Sequence, residues 1–526
     1  MTDQSRVAAF LGDGGSYDPA VAEVERIDTH AALVFLAGAR AYKIKRAVRF
    51  SFMDFSTREK RAAACLTELY LNRRSAPELY LGVLPILRDG PGFAFGDLVS
   101  DPGHDFVLPQ ETEELALVMR RFDQSGLFDR LAGRGRLHRG LIEALVQQVV
   151  ALQAAATPAV APFGGAEALG RVIAENAQDF QAYPEILPPD RVNPLIAASR
   201  RRLAETSGLL DARRAAGLVR RCHGDLHLRN IVLIEGRPTL FDCIEFNDAI
   251  GTVDLTYDLA FLLMDLDQRG LRPLANAALN LYLEAAARAG LGGPEWLAAL
   301  PLFLSLRAAV RAKVTAPAVT AQRDPAEAEA LRQETLAYLA AAERYLAPPP
   351  PRLVAVGGLS GSGKSTLARA LAPDLGATPG AVVLRSDQLR KRLAGLAETE
   401  RLPREAYTAV RSDEVYGEIA RLADIILAAG HAVVVDAVSA RPEQRAALRA
   451  LAGSHGARFD GLWLDAPAET LKTRVTARLA DASDADADVV ERQLGYDLGD
   501  IDWNRLPADG GPDALLNRAR RLLAPA

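Results

Sequence analysis

The sequence is short of lysine, cysteine and long apolar stretches. Only seven of its 62 basic residues are lysine, and its three cysteines, Cys65, Cys222 and Cys243, lie far apart. Such cysteines form neither a disulfide framework nor a zinc site, and they suggest a reducing compartment. No apolar run reaches the roughly 18 residues that span a bilayer, and the start lacks the layout of a secretory signal. We therefore expect a cytoplasmic protein without a membrane partner.

The rest of the composition is ordinary for a globular protein. The chain has 526 residues, of which 49% are hydrophobic and 25% are charged, and this mixture excludes a largely disordered or collagen-like chain. The formal net charge of -5 argues against a nucleic-acid coat protein or a binder of anionic membranes.

The clearest candidate for a domain boundary is a run of four prolines at 348–351. They end a helical pattern over about 325–346 and favour a stiff linker, so we place a linker at 347–351 between domains over 1–346 and 352–526. The first domain is predicted to be α+β, with a strand-rich small lobe over about 20–118 and a helical lobe over about 123–346. The second alternates strands and helices, which predicts an α/β fold with a parallel sheet. Its predicted strands are 352–357, 381–385, 432–436 and 460–464.

Two hairpins are predicted in the first domain. Residues 31–46 alternate apolar and polar side chains around a turn at 37–40, and residues 231–242 contain two short strands about a turn at 235–238. Between the hairpins, residues 57–74 read as a helix and residues 115–122 as a buried strand.

The second domain opens with the pattern G-x-x-x-x-G-K-S, placed after an apolar run and before a helix, as a phosphate-binding loop requires. Its glycines let backbone N–H groups surround phosphate oxygens at a helix N-terminus. Lys364 is predicted to reach the β- and γ-phosphates of ATP, and Ser365 to bind Mg²⁺. The predicted ATP-binding residues here are Gly358, Gly361, Gly363, Lys364, Ser365 and Thr366.

Two further strands of the second domain end in aspartate. Asp387 is a candidate catalytic residue, because a carboxylate at the end of a parallel strand can accept a proton from a substrate hydroxyl; the alternative is a helix N-cap. Asp436 follows an apolar strand, as a residue that binds Mg²⁺ or its water would; the alternative is a turn residue.

A helix near the C-terminus carries Arg474 and Arg478 four residues apart, before an acidic run at 481–488 that we predict to be a mobile loop. The two arginines could clamp transferring phosphates when a lid closes. A pair of exposed charges on a helix is the alternative.

With its phosphate loop, its Ser386-Asp387 strand end and this arginine-containing segment, the region 352–526 resembles P-loop small-molecule kinases such as gluconate, shikimate and zeta-toxin-like kinases. The resemblance implies transfer of phosphate from ATP to a hydroxyl group. Asp387 matches the substrate-side carboxylate of those kinases.

A second group of candidate catalytic residues lies in the first domain. There HGDLHLRN, at 223–230, fits the kinase catalytic-loop pattern H-x-D-x-x-x-x-N. Asp225 would orient or deprotonate the acceptor hydroxyl, and Asn230 would bind Mg²⁺. Because the two ends of an antiparallel hairpin lie side by side, we expect Asn230 and Asp242 to meet near one cation. We expect His223 to pack, and Asp254 and Asp258 to brace this loop.

The small lobe should supply a lysine for the α- and β-phosphates and a glutamate that holds it. Lys43 and Lys45 lie on one face of a strand, and we favour Lys43 slightly because it is closer to the turn; two solvent-facing lysines are the alternative. Glu68 is the predicted partner, or else a solvated helix residue. Met119 begins the predicted hinge, whose backbone would bind adenine.

These features resemble the aminoglycoside phosphotransferase family, which shares the protein-kinase fold, although no G-x-G-x-x-G motif precedes the first hairpin. Over roughly residues 20–500 the chain resembles bacterial two-domain proteins in which such a domain is fused to a P-loop kinase domain. The resemblance implies ATP and Mg²⁺ as cofactors.

Three functions are compatible with these observations. The first is a bifunctional phosphotransferase acting on small hydroxylated molecules, such as sugars or aminoglycosides, at two Mg·ATP sites. The second is a single P-loop kinase regulated by an ATP-sensing first domain. The third is a nucleic-acid end kinase in the C-terminal half, which the negative net charge disfavours. We expect no nucleic-acid partner.

Overall fold

The computed structural model describes residues 3–50, 53–103, 106–397, 400–403, 406, 408–476 and 486–524. The chain forms two compact units, of which the first comprises Met1–Ala168 and Leu210–Asp265 and the second Leu169–Leu209 and Leu266–Ala526. The second unit therefore contains residues from both sides of the four prolines. Because a compact unit need not coincide with a domain, the boundary at 347–351 stays a prediction.

The first unit is built on an antiparallel sheet of six strands, accompanied by a separate two-stranded hairpin. The elements are α1 (Asp3–Gly12), β1 (Val24–Asp28), β2 (Ala32–Ala37), β3 (Arg40–Lys45), β4 (Arg49–Phe50), β5 (Met53–Asp54), α2 (Arg58–Asn72), β6 (Tyr80–Asp89), β7 (Gly92–Phe95) and β8 (Thr112–Arg120). The strand order in the large sheet is β1-β2-β3-β8-β6-β7, and β4 pairs with β5.

Both faces of the β2–β3 hairpin are buried. Phe35 and Ile44 pack into a cluster with residues of α1, whereas Leu36 and Ala41 pack into a cluster with residues of α2. Gly38 makes the turn with φ +56°, a conformation that glycine adopts without strain. The predicted hairpin at 31–46, helix at 57–74 and strand at 115–122 are confirmed.

The following segment contains mostly helices and a second hairpin. Its elements are α3 (Phe128–Gly133), α4 (Arg139–Ala155), α5 (Gly165–Gln181), α6 (Pro189–Ala215), β9 (Val219–Arg221), β10 (Ile231–Ile234), β11 (Arg237–Leu240), α7 (Asp248–Gly251), β12 (Thr252–Asp254) and α8 (Leu255–Gln268). The predicted hairpin at 231–242 is confirmed as β10–β11. Its turn is shorter than predicted, because Glu235 and Gly236 alone adopt positive φ angles, and residues 237–238 already belong to β11.

The second unit contains a five-stranded parallel sheet. Its elements after α8 are α9 (Arg272–Arg288), α10 (Leu300–Ala321), α11 (Pro325–Tyr345), β13 (Arg352–Gly358), α12 (Lys364–Leu371), β14 (Val382–Arg385), α13 (Ser386–Leu393), α14 (Ala409–Ala428), β15 (Val433–Asp436), α15 (Pro442–Ser454), β16 (Arg458–Asp465), α16 (Ala468–Thr476), α17 (Ala487–Leu494), β17 (Asn504–Pro507) and α18 (Pro512–Leu523). The strand order is β14-β15-β13-β16-β17, and every pair is parallel.

All four strands predicted in this region are confirmed, but the fifth, β17, was not predicted. Its sequence, Asn-Arg-Leu-Pro, buries only Leu506. A short edge strand with polar residues and a proline lacks the apolar run that marks the other strands. The sequence pattern therefore could not reveal it.

The outer edge of β14 is covered by side chains of α9. Asn280 accepts a hydrogen bond from the backbone N–H of Val383 at 2.7 Å, and Asn276 donates to the carbonyl oxygen of Ala381 at 3.0 Å. These two asparagines, one helical turn apart, replace the neighbouring strand that an edge strand lacks. Helix α9 thus fixes the strand that ends at Arg385.

Candidate functional sites

The two lysines of β3 point to the same buried glutamate. Lys43 Nζ lies 2.8 Å from Glu68 Oε1 and 2.5 Å from Asp242 Oδ1. Lys45 contacts Glu68 Oε2 and Glu245 Oε1. The side chain of Glu68 is fully buried on α2, so the alternative of a solvated glutamate is wrong, as is that of two solvent-facing lysines. Both lysines contact the predicted partner Glu68, and Lys43 also contacts Asp242, which was not predicted.

Asp242 occupies the exit of the β10–β11 hairpin in a strained conformation. Its φ angle is +60°, which costs energy for a residue with a side chain and is found preferentially at functional sites. The hydroxyl of Tyr80 accepts a hydrogen bond from its backbone N–H at 3.0 Å, and Lys43 contacts its carboxylate. Both contacts stabilise this conformation.

The opposite charges of Lys43 and Asp242 stabilise each other. Burial alone would lower the pKa of Lys43, but the carboxylates of Asp242 and Glu68 outweigh it and raise that pKa well above its usual value. Burial would likewise raise the pKa of Asp242, but Lys43 lowers it overall. Burial raises the pKa of Glu245. Lys43 and Asp242 are therefore both charged at neutral pH.

The catalytic-loop sequence forms a turn closed by its own side chains. Asn230 donates to the carboxylate of Asp225 at 2.9 Å and to its backbone carbonyl at 3.0 Å. A ring nitrogen of His227 lies 3.2 Å from the same carboxylate. His223 is fully buried and contacts the carbonyl oxygen of Phe241 at 3.0 Å, in keeping with the packing role predicted for it. Burial lowers its pKa, so its ring is neutral.

Two aspartates of α8 hold the backbone of this loop. Asp258 accepts hydrogen bonds from the N–H groups of Gly224 at 2.8 Å and His223 at 3.3 Å, as the sequence predicted. Asp265 accepts one from Leu228 at 2.9 Å and was not predicted. Asp254, by contrast, does not brace the loop: its carboxylate forms a buried ion pair with Arg213 at 2.7 Å.

The expected metal ligands of this site suit a hard cation. Asn230 and Asp242 flank the strand pairing of β10 with β11, in which Ile231 faces Leu240. Within the described part of the chain, no hydrogen-bond partner occupies Asn230 Oδ1 or Asp242 Oδ2. Amide and carboxylate oxygens are the donors that Mg²⁺ prefers. Described residues include no group of three or more His, Cys, Asp and Glu side chains arranged as a metal site.

Met119 lies near the end of β8, where the predicted hinge begins. Its side chain is buried, and its backbone is paired with Ala41 of β3 and Tyr80 of β6. The strand ends at Arg120, one residue later. Phe122 then packs its ring against Phe241 at a centroid distance of 5.3 Å. Adenine binding at this position stays a prediction.

The phosphate loop between β13 and α12 depends on its glycines. Gly358, Gly361 and Gly363 have φ angles of +130°, +85° and +93°. A Cβ atom at Gly358 would lie 2.6 Å from the carbonyl oxygen of Leu464, and one at Gly361 would lie 2.5 Å from that of Leu471. The loop therefore tolerates no larger residue at these two positions without a shift.

The lysine of the loop folds back onto it. Lys364 Nζ donates to the carbonyl oxygen of Leu359 at 2.9 Å. Gln493, on α17, accepts a hydrogen bond from the backbone N–H of Ser360 at 2.7 Å. Thr366 follows on α12 and is exposed. The backbone N–H of Ser360, which could donate to a phosphate, is thus bonded to the side chain of Gln493.

The two predicted metal ligands of the second unit are bridged by an arginine. Arg385 Nε lies 3.2 Å from Asp436 Oδ2, and its Nη2 lies 3.2 Å from Ser365 Oγ. Asp436 is buried at the end of β15, so the alternative of an ordinary turn residue is wrong. The guanidinium therefore lies between the hydroxyl and the carboxylate, and the role of this pair as Mg²⁺ ligands stays a prediction.

Asp387 is half-buried in the first turn of α13. It is not the N-cap, because Arg385 occupies that position, and among the described residues none hydrogen-bonds to its side chain. Its catalytic role stays a prediction.

Of the two predicted lid arginines, Arg474 is engaged with the backbone. It donates to the carbonyl oxygens of Ala508 at 2.7 Å and Gly510 at 3.3 Å. Arg478 lies outside the described residues, as does most of the acidic run at 481–488. The end of that run is not a loop as predicted, because Asp486 caps helix α17 through the N–H of Val489.

Sequence reasoning missed three charged residues at these sites, namely Arg385, Glu245 and Asp265. Arg385 directly precedes the Ser386-Asp387 pair, so its place at the strand end was visible in the sequence. Glu245 follows Asp242 by three residues but contacts Lys45, about 200 positions earlier. Only the folded chain shows that contact.

Two family models match the chain. The one described as "Phosphotransferase enzyme family" matches residues 102–300, and the one described as "AAA domain" matches residues 353–496. The loop of Asp225 falls within the first match, and the phosphate loop falls within the second.

Relatives and solved structures are also similar to the chain. The uncharacterized proteins Rv2004c of Mycobacterium tuberculosis and Mb2027c of Mycobacterium bovis are each 30% identical over 483 residues, 90% of this chain and of theirs. The structure of the M. tuberculosis APS kinase CysC with AMPPNP and APS is 26% identical over 33% of this chain and 98% of its own (TM-score 0.27). The amicoumacin kinase hAmiN with AMP-PNP, Ca²⁺ and Ami is 15% identical over 65% of this chain and 94% of its own (TM-score 0.40).

Among the helices of the described residues, none combines the length and the apolar character needed to cross a membrane.

Proposed function

Because the chain belongs to the same family as the mycobacterial protein Rv2004c and contains a phosphotransferase-family domain followed by a P-loop domain, we propose that it is a bifunctional kinase. It transfers the γ-phosphate of ATP to hydroxyl groups of small molecules at two separate sites. The observation that supports the first site best is the pair of contacts from Lys43 to Glu68 and Asp242.

At the first site, Lys43 binds the α- and β-phosphates while Glu68 fixes its position. Asp225 accepts the hydrogen bond of the acceptor hydroxyl and orients it for in-line attack. Asn230 and Asp242 would hold Mg²⁺, which supplies neutralisation of phosphate charge. Asp258 keeps the loop of Asp225 rigid, because it satisfies two backbone N–H groups of that loop.

At the second site, the backbone N–H groups of the phosphate loop and Lys364 bind the phosphates. Ser365 and Asp436 would hold Mg²⁺ there, and Asp387 orients the acceptor hydroxyl. Arg474 and Arg478 would bind the transferring phosphates, and Arg474 would first release the carbonyl oxygens of Ala508 and Gly510.

We propose sugar-like or aminoglycoside-like acceptors and no nucleic-acid partner. The net charge of -5 supports this choice, because a protein that binds the phosphate backbone usually presents a basic surface.

The test measures ADP release with a panel of sugars, aminoglycosides and nucleosides. We compare Asp225→Asn, Lys364→Met and the double variant with the surface controls Glu235→Gln and Lys472→Met, whose side chains form exposed ion pairs. We expect each single variant to lose release for one set of acceptors by at least about 100-fold, and the controls to keep both. If neither site binds nucleotide, the proposal is wrong.

A second candidate function is an ATP-sensing first domain that regulates a single P-loop kinase. One observation favours it: the turn between β1 and β2 consists of Thr29, His30 and Ala31 and lacks the glycines that cover ATP phosphates in kinases. In that case Lys364→Met would abolish all ADP release, and Asp225→Asn would leave turnover intact.

A further inference from the structure

The guanidinium of Arg385 lies where the proposed cation of the second site would bind. Arg385 is the last residue of β14, and its side chain is 3% exposed. It contacts Asp436 Oδ2 through Nε and Ser365 Oγ through Nη2, each at 3.2 Å. The two residues that it joins are therefore the two that the phosphate-loop mechanism assigns to Mg²⁺.

A guanidinium and a divalent cation compete for this pair of ligands, because like charges held a few ångströms apart in a buried site repel each other strongly. Without either cation, however, the buried carboxylate of Asp436 would lose the positive group that faces it, which is strongly destabilising. One positive group at this position stabilises the carboxylate, and a second one would be repelled by the first.

We propose that the guanidinium of Arg385 takes the place of the metal ion when the phosphate loop is empty. It neutralises Asp436 in that state, and it must move away from Asp436 when Mg·nucleotide binds. This inference rests on the proposed function of the second site. Its consequence is that Mg²⁺ binds more weakly than the ligands alone would allow, because the Arg385–Asp436 pair must be broken first.

The surroundings restrict the movement to the arginine side chain. In the parallel ladder Arg385 is the direct partner of Asp436, and Val383, two residues earlier, is held by Asn280. The strand therefore stays in register while the guanidinium turns away. Asp387, two residues further on, keeps its place at the start of α13.

The experiment titrates Mg²⁺ against binding of a fluorescent ADP analogue to the full chain. All variants carry Lys43→Met, which weakens the first site. We compare Arg385→Gln with Arg421→Gln, which removes the same charge from an exposed ion pair on α14. We expect the Mg²⁺ concentration at half-maximal binding to fall by about tenfold in Arg385→Gln, in line with the loss of a charge-assisted hydrogen bond, and to stay unchanged in Arg421→Gln.

Two further measurements keep the test decisive if Arg385→Gln folds poorly. Arg385→Lys retains the charge but cannot reach both ligands with a planar fork, so its Mg²⁺ midpoint should also fall. A crystal structure of the wild-type chain with Mg²⁺ and a non-hydrolysable ATP analogue should show Nε more than 4 Å from Asp436.

Three results would overturn the inference. A midpoint that Arg385→Gln leaves unchanged would show that the arginine does not compete with Mg²⁺, while the proposed kinase function would stand. A structure that retains the Arg385–Asp436 contact beside bound Mg²⁺ would likewise show that the arginine and the metal do not compete. Failure of the Lys43→Met chain to bind nucleotide at any Mg²⁺ concentration would refute the function of the second site as well.

Discussion

The two candidate sites would bind a nucleotide with different kinds of groups. In the first unit, side chains from distant parts of the chain meet around the buried Glu68, where Lys43 joins Glu68 and Asp242. In the second unit, a contiguous loop presents its backbone, and its glycines adopt positive φ angles at Gly358, Gly361 and Gly363. The first site therefore depends on charge pairing and the second on backbone shape.

The difference predicts which substitutions each site tolerates. A side-chain site fails when a charge loses its buried partner. A backbone site fails when a side chain enters space that only glycine leaves open. The chain also offers a separate reporter for each unit, because its three cysteines are buried in the first and its three tryptophans in the second.

The largest effects are expected for the paired lysines of β3. Lys43→Met should lower turnover at the first site by at least about 100-fold, because Asp242 and the phosphates lose their common partner. Lys45→Met should instead cost about 3–5 kcal/mol of stability, because the buried Glu245 loses its positive partner whereas Glu68 keeps Lys43. Turnover and the accessibility of the cysteines in urea separate the two outcomes.

Both lysine variants are made in a Lys364→Met background, so that ADP release reports the first site alone. Lys60→Met serves as the control, because Lys60 forms an exposed pair with Asp54. Equal losses of turnover and stability in the two variants would contradict separate roles for the lysines.

The next largest effect concerns pH and the second unit. His431 is fully buried with a ring nitrogen 2.8 Å from the carbonyl oxygen of Gly380, and burial lowers its pKa from 6.5 to about 4. The neutral ring favours the folded state above pH 6.5, and this contribution, about 3 kcal/mol, is lost as the pH falls from 6.5 to 4.

Urea unfolding followed by tryptophan fluorescence at several pH values measures this loss. His431→Gln should flatten the dependence between pH 6.5 and 4. Gln333→Ala, which removes an exposed side chain that does not titrate, should leave the dependence unchanged. An unchanged pH profile in His431→Gln would assign the loss to other groups.

A smaller effect tests the backbone of the phosphate loop. Gly361→Ala should cost about 1–3 kcal/mol and weaken nucleotide binding to the second site, because φ is +85° and Cβ would approach Leu471 O. Gly417→Ala, on the exposed face of α14 with open space around it, should stabilise the chain by about 0.5–1 kcal/mol. Calorimetric titration with nucleotide and urea unfolding measure both; intact binding in Gly361→Ala would contradict a site built from backbone.

The smallest effect concerns the covered edge of β14. Asn280→Ala should reduce the stability of the second unit by about 1–2 kcal/mol, because the N–H of Val383 loses its acceptor. Gln333→Ala removes an exposed amide on α11 and should change stability by less than about 0.5 kcal/mol. Tryptophan fluorescence in urea compares the two, and equal stabilities would mean that the contact to β14 adds nothing.

The sequence predicted a structural feature well when the residues that form it lie close together along the chain. The phosphate loop and the hairpin at 231–242 are contiguous, so spacing and turn residues sufficed. The contact of Lys43 with Asp242 was not predicted, although each residue lay in a recognisable pattern of its own.

Other features had no local signal. The contact of Lys45 with Glu245 joins residues that no motif connects, and Asp254 resembled Asp258 in sequence although it pairs with Arg213. The covering of β14 by Asn276 and Asn280 depends on how a helix packs, which side-chain spacing within the helix does not encode.

The asparagine cover of β14 determines how this chain can be divided. A fragment that starts at the four prolines would keep the parallel sheet but lose α9, and the N–H of Val383 and the carbonyl of Ala381 would then face water. A bare strand edge invites pairing with other copies. Fragments meant to isolate the phosphate loop should therefore begin before residue 266.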